Sequence, residues 1–581
     1  MKKSSHNLME KISTQMSAGK FDTAAKSATV AFKQFPGEIG FANAAGSAYA
    51  RAGKFSQAVS FFYKASALAP GDLATQENLL RALIQAGRCE KALELIERLL
   101  KKRPNLVPLL ILKANAEMRL NRIEDVVATT TLALDASPDT AEIYNLRGTA
   151  YERVGKNDAA ISDFQRNSAL APLDSNPLVN MAEPLTSLHR PEEALAALQQ
   201  AVKIQPSDMR AHRFLADQLS LMGKIDEAKV AYHRILRANP LDGNTIFQLV
   251  LLQTVEENAT LMPLLEAALI KPPRKPEELA PLKFSMGNLL FQNGDFEGAT
   301  TALAQANALK AKIQPFDMKA STNEFESITK LFDNRSSAEL KNKATPHPIF
   351  VIGQPRSGTT LCEMILSAHP DIAGCGEMET AAKVLEGVLT NGAFDAAILE
   401  KSFREDLPPH ATQKMAFVDK MPSNYRYVGA LIEAFPNAKF VHLARDPRDV
   451  ALSMWRMPFS TSGMAYTYDL RAMASQANLY QRYMTHWQKQ YPDHILTMNY
   501  KDLVSDVEAA SRELSAFCGI DFVDEMAAPE KNTAMVRTAS QVQVRQKVHQ
   551  RSDGGWRSMQ SALRPFIDAL DNDLWPGLNN E

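Results

Sequence analysis

The stretch FVIGQPRSGTTLCEMILSAHP, residues 350–370, holds the residues of this chain whose types and spacing point most directly to chemistry. Gly353 and Gly358 have the separation of the G-x-x-x-x-G-K-[ST] phosphate loop, but Thr359 stands where that pattern carries lysine. An apolar run precedes the loop and an amphipathic run follows it, which predicts a buried strand leading into a helix N-terminus. Backbone N–H groups converge on an anion at such a junction, and the helix dipole adds roughly half a positive charge. Phosphate or sulfate is the natural guest. Pro355 stiffens the loop and Gly358 lets backbone approach a ligand. The hydroxyls of Ser357, Thr359 and Thr360 are further donors, and Arg356 offers a planar fork for oxyanions. Without a lysine over the β- and γ-phosphates, ATP or GTP hydrolysis loses much of its support.

Four more segments carry candidate residues. FPNAKFVHLARDPRDVALSMW (435–455) places Arg445 at the end of a predicted strand and Ser453 eight residues later on the following helix. Its neighbour Arg448 is either a surface or anion-binding arginine or the partner of Asp446 or Asp449. AFVDKMPSNYRYVGALIEAFPNAKF (416–440) sets Lys420 two residues before Pro422 and just ahead of that strand. SAHPDIAGCGEMETAAK (367–383) offers Glu377 or Glu379 as a carboxylate, with His369 ending the preceding helix. TASQVQVRQKVHQRSDGGWR (538–557) is basic, with Ser540, Arg545, Lys547, Arg551 and Arg557 as candidates, and Tyr500 ends a further predicted strand.

These segments, in this order, resemble the sulfotransferases that use 3′-phosphoadenosine 5′-phosphosulfate (PAPS), and tyrosylprotein sulfotransferases in particular. The resemblance implies that P-R-S-G-T-T (355–360) holds the 5′-phosphosulfate and that Arg445 with Ser453 grips the 3′-phosphate. It implies Lys420 at the leaving group, Glu377 as the base in preference to Glu379, Tyr500 near the adenine, and Ser540 and Arg545 in a loop over the nucleotide. The family's lysine six residues beyond that serine is Gln546 here, so Arg545 or Lys547 takes its place. The implied reaction moves a sulfuryl group from PAPS to a hydroxyl acceptor and requires no metal. Tyrosine of a protein or peptide is the acceptor suggested by the resemblance, while a glycan, lipid or small alcohol suits the same base. Two other readings stand beside it: a nucleotide kinase or NTPase on a related core, and a repeat scaffold with a degenerate catalytic domain.

The elements that must position these residues have the texture of an α/β domain. IFVIG (349–353), KFVHLA (439–444) and HILTMNY (494–500) are compact apolar runs, each followed by a loop and a helical pattern. That alternation predicts a P-loop-like parallel sheet with helices on both faces over residues 348–581, after a linker and connecting helix at 313–347.

The first half has a different organisation. Prolines at 36, 70, 104, 138, 172, 206 and 240 recur every 34 residues, and a turn ladder runs in phase through Gly19, Gly53, Gly87, Asn121, Gly155, His189 and Gly223. Within a unit, Gly46 and Phe62, or Gly148 and Phe164, set small residues where two helices approach and large ones in the gaps. The pattern resembles the tetratricopeptide repeat, which implies an α-superhelical array over 1–312 with a concave surface for a peptide or partner domain. Gly294 lies 71 residues after Gly223, and the three extra residues predict an enlarged Pro-rich loop at 271–281.

Composition excludes some classes. With 65 Lys+Arg against 66 Asp+Glu, the bulk charge has no nucleic-acid footprint, so any basic site must be local. No stretch approaches the roughly 18 apolar residues of a membrane span, and the N-terminal lysines have no apolar run behind them. Four scattered cysteines make neither a disulfide framework nor a metal-type pair, so a cytoplasmic setting is expected.

Overall fold

The computed structural model describes residues 2–333, 345–391, 394–459, 462–532, 534–538, 543–550 and 552–578. By packing, the chain divides into two compact units, Met1–Ala211 and His212–Glu581.

The first unit is a succession of antiparallel helix pairs, such as Ile39–Arg51 with Phe55–Leu68 and Ala141–Arg153 with Asn157–Leu170. Each turn residue of the 34-residue ladder has positive φ, including the two that are not glycine: Asn121 at 56° and His189 at 55°. This left-handed residue reverses the chain after each first helix, and glycine takes it without a Cβ clash. The small-to-large pairing is steric: a Cβ on Gly46 would lie 2.7 Å from the Phe62 ring, and one on Gly148 would lie 2.8 Å from Phe164. One first helix is broken into Asn176–Asn180 and Ala182–Ser187, because Pro184 has no N–H to give the carbonyl of Asn180.

The second unit opens with further repeat helices, among them Ile225–Ala238, Gly243–Leu252, Pro276–Gln292 and Phe296–Ile313. The expected loop at 271–281 forms only as far as Lys275. From Pro276 the chain is helical, since proline suits the first helical position, and Pro281 is carried inside the helix. The helix Met318–Phe332 follows.

Five strands, β1 (His347–Gly353), β2 (Ile372–Gly374), β3 (Ala416–Asp419), β4 (Lys439–Ala444) and β5 (Ile495–Asn499), form one sheet in the order β2-β3-β1-β4-β5. Every pairing is parallel. Period-two alternation divides the core: Ile349, Val351, Val441 and Leu443 face one apolar cluster, while Phe350, Ile352, Phe417 and Phe440 face the other. The helix α1 (Thr359–Leu366) packs on the first face and Leu470–Gln490 on the second. A third cluster joins Phe247, Phe284 and Leu303 of the repeat helices to Leu452 and Trp455 of α2 (Pro447–Trp455) and to Trp556. The repeat helices of this unit and the sheet domain therefore share a core. Among the described residues, no helix is long and apolar enough to cross a membrane.

Candidate active site

In the observed strand order the chain leaves β1 toward β2 and leaves β4 toward β5, so a crevice opens between the carboxyl ends of β1 and β4. The loop after β1 needs glycine twice. Gly353 has φ 155° and a Cβ there would lie 2.8 Å from the Leu443 carbonyl; Gly358 has φ 107° and a Cβ would meet the Tyr500 ring at 2.6 Å. Between them Arg356 takes φ 70°, a conformation that a side chain adopts only when its surroundings fix it. Those surroundings are specific. Its Nε donates to Ser453 Oγ at 3.0 Å, a terminal nitrogen donates to Gln543 Oε1 at 2.8 Å, and its carbonyl accepts from Arg445 at 3.0 Å.

Arg445 also donates to the Ser552 carbonyl, and its guanidinium lies 4.1 Å from the centre of the Tyr500 ring. Arg356, Gly358, Thr360, Arg445, Ser453 and Tyr500 thus surround one cavity of about 230 Å³, with Lys547 also on its wall. Among the described residues, Ser357 Oγ and Arg445 Nε are buried with no hydrogen-bond partner. Burial, followed by the charge of Arg445, pushes the Arg356 pKa down to about 10. Cations packed this closely favour an anion among them.

A second cluster lies one turn along α1, where Glu363 follows Thr360 on the same helix face. Lys420, fully buried at the end of β3, donates to Glu377 Oε1 at 2.6 Å, and Glu363 Oε2 is 4.0 Å away. The Gly376 peptide links the group: its N–H donates to Glu363 at 2.8 Å, and its carbonyl accepts from the Lys420 N–H at 2.8 Å. Glu377 is 41% exposed, so it compensates the buried ammonium on one side and is accessible on the other. Glu379 instead pairs with Lys383, both well exposed. Burial raises the pKa of Glu363, and that of Asp419 to about 8. Glu377 and Lys420 are beside the cavity rather than in its lining.

Other expected residues are placed differently. Arg448 is buried in an ion pair with Asp446 at 2.8 Å and stacks on Trp556, so its charge is used structurally. His369 accepts from the Asp371 N–H at 3.1 Å and closes the turn after α1. Arg545 is placed away from the lining of this cavity: it donates to the carbonyls of Leu221 and Ala534 and packs on Gly223, because its short 3-10 turn directs it toward the repeat helix. Lys547, two residues on, lines the cavity instead. Ser540 and Arg551 lie outside the described residues.

The sequence model of the sulfotransferase family matches residues 348–524, which include the loop, Glu377, Lys420, Arg445, Ser453 and Tyr500. Tetratricopeptide-repeat models match residues 10–72, 49–108 and 185–250. The chain joins tetratricopeptide repeats to a sulfotransferase-family domain. An uncharacterized protein of Aquifex aeolicus (strain VF5) is 29% identical over 403 residues, which are 65% of this chain and 52% of that protein. Protein-tyrosine sulfotransferase 1 of Danio rerio is 27% identical over 218 residues, covering 33% of this chain and 58% of its own length. The chain therefore spans between half and three fifths of these relatives. A thermophilic tetratricopeptide-repeat protein of Thermus thermophilus aligns with 31% of the chain and 99% of its own, at 22% identity and TM-score 0.29.

Sequence reasoning missed one basic residue of the sulfotransferase domain. Arg456 lines the small cavity and also a larger one of about 800 Å³, whose walls include Phe247 and Lys310 of the repeat helices and Phe459 of the sulfotransferase domain. The signal was its spacing, three residues beyond Ser453 and so on the same face at the end of α2.

Proposed function

We propose that the chain transfers a sulfuryl group from PAPS to a hydroxyl acceptor. The observation that carries this reading is the meeting of Arg356, Arg445 and Ser453 over a glycine loop that lacks the NTPase lysine. The residues present fit a nucleotide with two separate anionic ends. Ser357 Oγ and Arg445 Nε are buried donors awaiting acceptors, and α1 presents first-turn N–H groups with no intrahelical partner. The loop and Arg356 would hold the 5′ end, Arg445 with Ser453 the 3′-phosphate, and Tyr500 the side nearest the adenine.

When bound, PAPS supplies the sulfuryl group and leaves as adenosine 3′,5′-bisphosphate. A bond forms between the acceptor oxygen and sulfur, and the bond from sulfur to the bridging phosphate oxygen breaks. Glu377 takes the acceptor's proton, a role typically contributing about 10²–10⁴-fold. Lys420, whose ammonium Glu377 holds at 2.6 Å, would stabilise the negative charge that develops on the leaving phosphate. The names of the curated relatives favour tyrosine of a protein or peptide as the acceptor, and the repeats offer a surface to hold one. The four cysteines are all unpaired, which suits a cytoplasmic setting.

Isothermal titration tests the reading. The full chain should bind adenosine 3′,5′-bisphosphate in clear preference to adenosine 5′-monophosphate and ATP. Preference for ATP, or no binding of any of the three, would overturn it.

A further inference from the structure

Arg456 is the C-cap residue of α2 and part of the wall shared by the two cavities. A repeat helix determines where its guanidinium sits. Its Nε donates to Asn288 Oδ1 at 3.1 Å, and its guanidinium carbon lies 3.7 Å from the centre of the Phe291 ring. Asn288 and Phe291 share one face of the helix Pro276–Gln292, three residues apart. The same Asn288 side chain donates from Nδ2 to the Arg456 carbonyl at 2.9 Å, so one amide holds both the backbone and the side chain of the arginine. Asn307, on Phe296–Ile313, donates to the adjacent Trp455 carbonyl at 2.9 Å. Two repeat helices thereby satisfy C-terminal carbonyls that α2 leaves without intrahelical donors.

Further arginines crowd the cavity side of this arrangement. Arg356 is close enough to help burial lower the Arg456 pKa to about 10, and Arg445 acts in turn on Arg356. Three guanidinium groups thus follow one another along the wall of the small cavity. Their mutual repulsion is relieved by an anion that spans them. Asn288 and Phe291 fix Arg456 through neutral contacts that leave its charge for such a ligand, whereas a carboxylate at either place would neutralise it.

We propose that Asn288 and Phe291 of the repeat helix are positioning residues for the anionic sulfuryl donor, acting through Arg456. The repeats then complete the donor site as well as offering a surface to an acceptor. This inference rests on the donor reading above.

The test uses the full chain and adenosine 3′,5′-bisphosphate as the calorimetric probe. Arg456→Gln should weaken binding about 10- to 100-fold, the range for a charge-assisted hydrogen bond lost. Phe291→Leu keeps apolar bulk at a partly exposed position and should weaken it about 2- to 5-fold, by loss of the ring face. Asn288→Ala should weaken binding about 3- to 10-fold, and should cost little more when Arg456 is already glutamine. That non-additivity is what a merely structural asparagine does not produce: a stability defect would lower the binding-competent fraction and weaken binding by the same factor whether residue 456 is arginine or glutamine. Wild-type affinity in both Asn288→Ala and Phe291→Leu, or additive losses in the double variant, would overturn the inference while leaving the donor reading intact. A wild-type chain that does not bind the bisphosphate would overturn the donor reading, and this inference with it.

Discussion

Under the proposed reading, the contact of Lys420 with Glu377 serves both stability and chemistry. A fully buried ammonium without its carboxylate is costly, about 3–5 kcal/mol for a broken buried pair. Glu377→Gln is therefore the informative variant, since its amide oxygen still accepts from Lys420 while losing the ability to take a proton. Turnover should fall by about 10²-fold or more with bisphosphate affinity largely retained; full activity in a sulfuryl-transfer assay would remove Glu377 from the mechanism. Under the proposed reading, Arg445 belongs to the binding side of the site. Arg445→Ala should weaken the bisphosphate about 10- to 100-fold in the same titration, and unchanged affinity would count against its place at the 3′-phosphate.

At the scale of elements, the turn ladder and the sheet each have a sensitive position. Asn121 holds φ 56° where most rungs are glycine. Asn121→Gly should leave stability nearly unchanged, whereas Asn121→Val, with a β-branched side chain in the left-handed region, should lose about 1–2 kcal/mol in urea denaturation. His442 on β4 is buried between Thr497 Oγ1 at 3.1 Å and the Tyr480 hydroxyl, and burial lowers its pKa to about 4. The folded value lies below the unfolded value near 6.5, so its contribution is complete above that pH and is lost as pH falls toward 4. Stability should decline by roughly 3 kcal/mol over that window, and His442→Gln should flatten the decline.

These elements also show what was legible. β1 and β4 could be read because each is a continuous apolar run between turn residues, and the loop after β1 because its glycines are fixed by close approach to Leu443 and Tyr500. β2 could not, since three residues hold too little pattern to distinguish a strand from a turn. Pro276 read as loop because proline at a helix start and proline in a turn look alike without neighbours. The grip of Asn288 on Arg456 spans 168 residues of sequence, and no local pattern announces a tertiary contact of that kind. Arg545 is expected at the nucleotide from residue type alone, whereas the carbonyls of Leu221 and Ala534 decide where its side chain goes.

In the molecule as a whole, the 34-residue period continues past the place where packing divides the chain. Phe247, Phe284 and Leu303 are fully or nearly fully buried against Leu452, Trp455 and Trp556, so the sheet domain without these helices would expose part of its core. A fragment of residues 212–581 should be soluble and unfold cooperatively in a calorimetric scan, whereas 314–581 should aggregate. Equal behaviour of the two fragments would show that the shared core is dispensable. The capping of α2 by Asn288 and Asn307 has a counterpart in how such chains could exchange parts. A recombination joint near residue 211 would pass on an upstream array and leave the shared core whole. A joint at the last repeat would separate Arg456 from the Asn288 amide that bonds it, so recombination that keeps this contact carries the final helix pair along with the sulfotransferase-family domain.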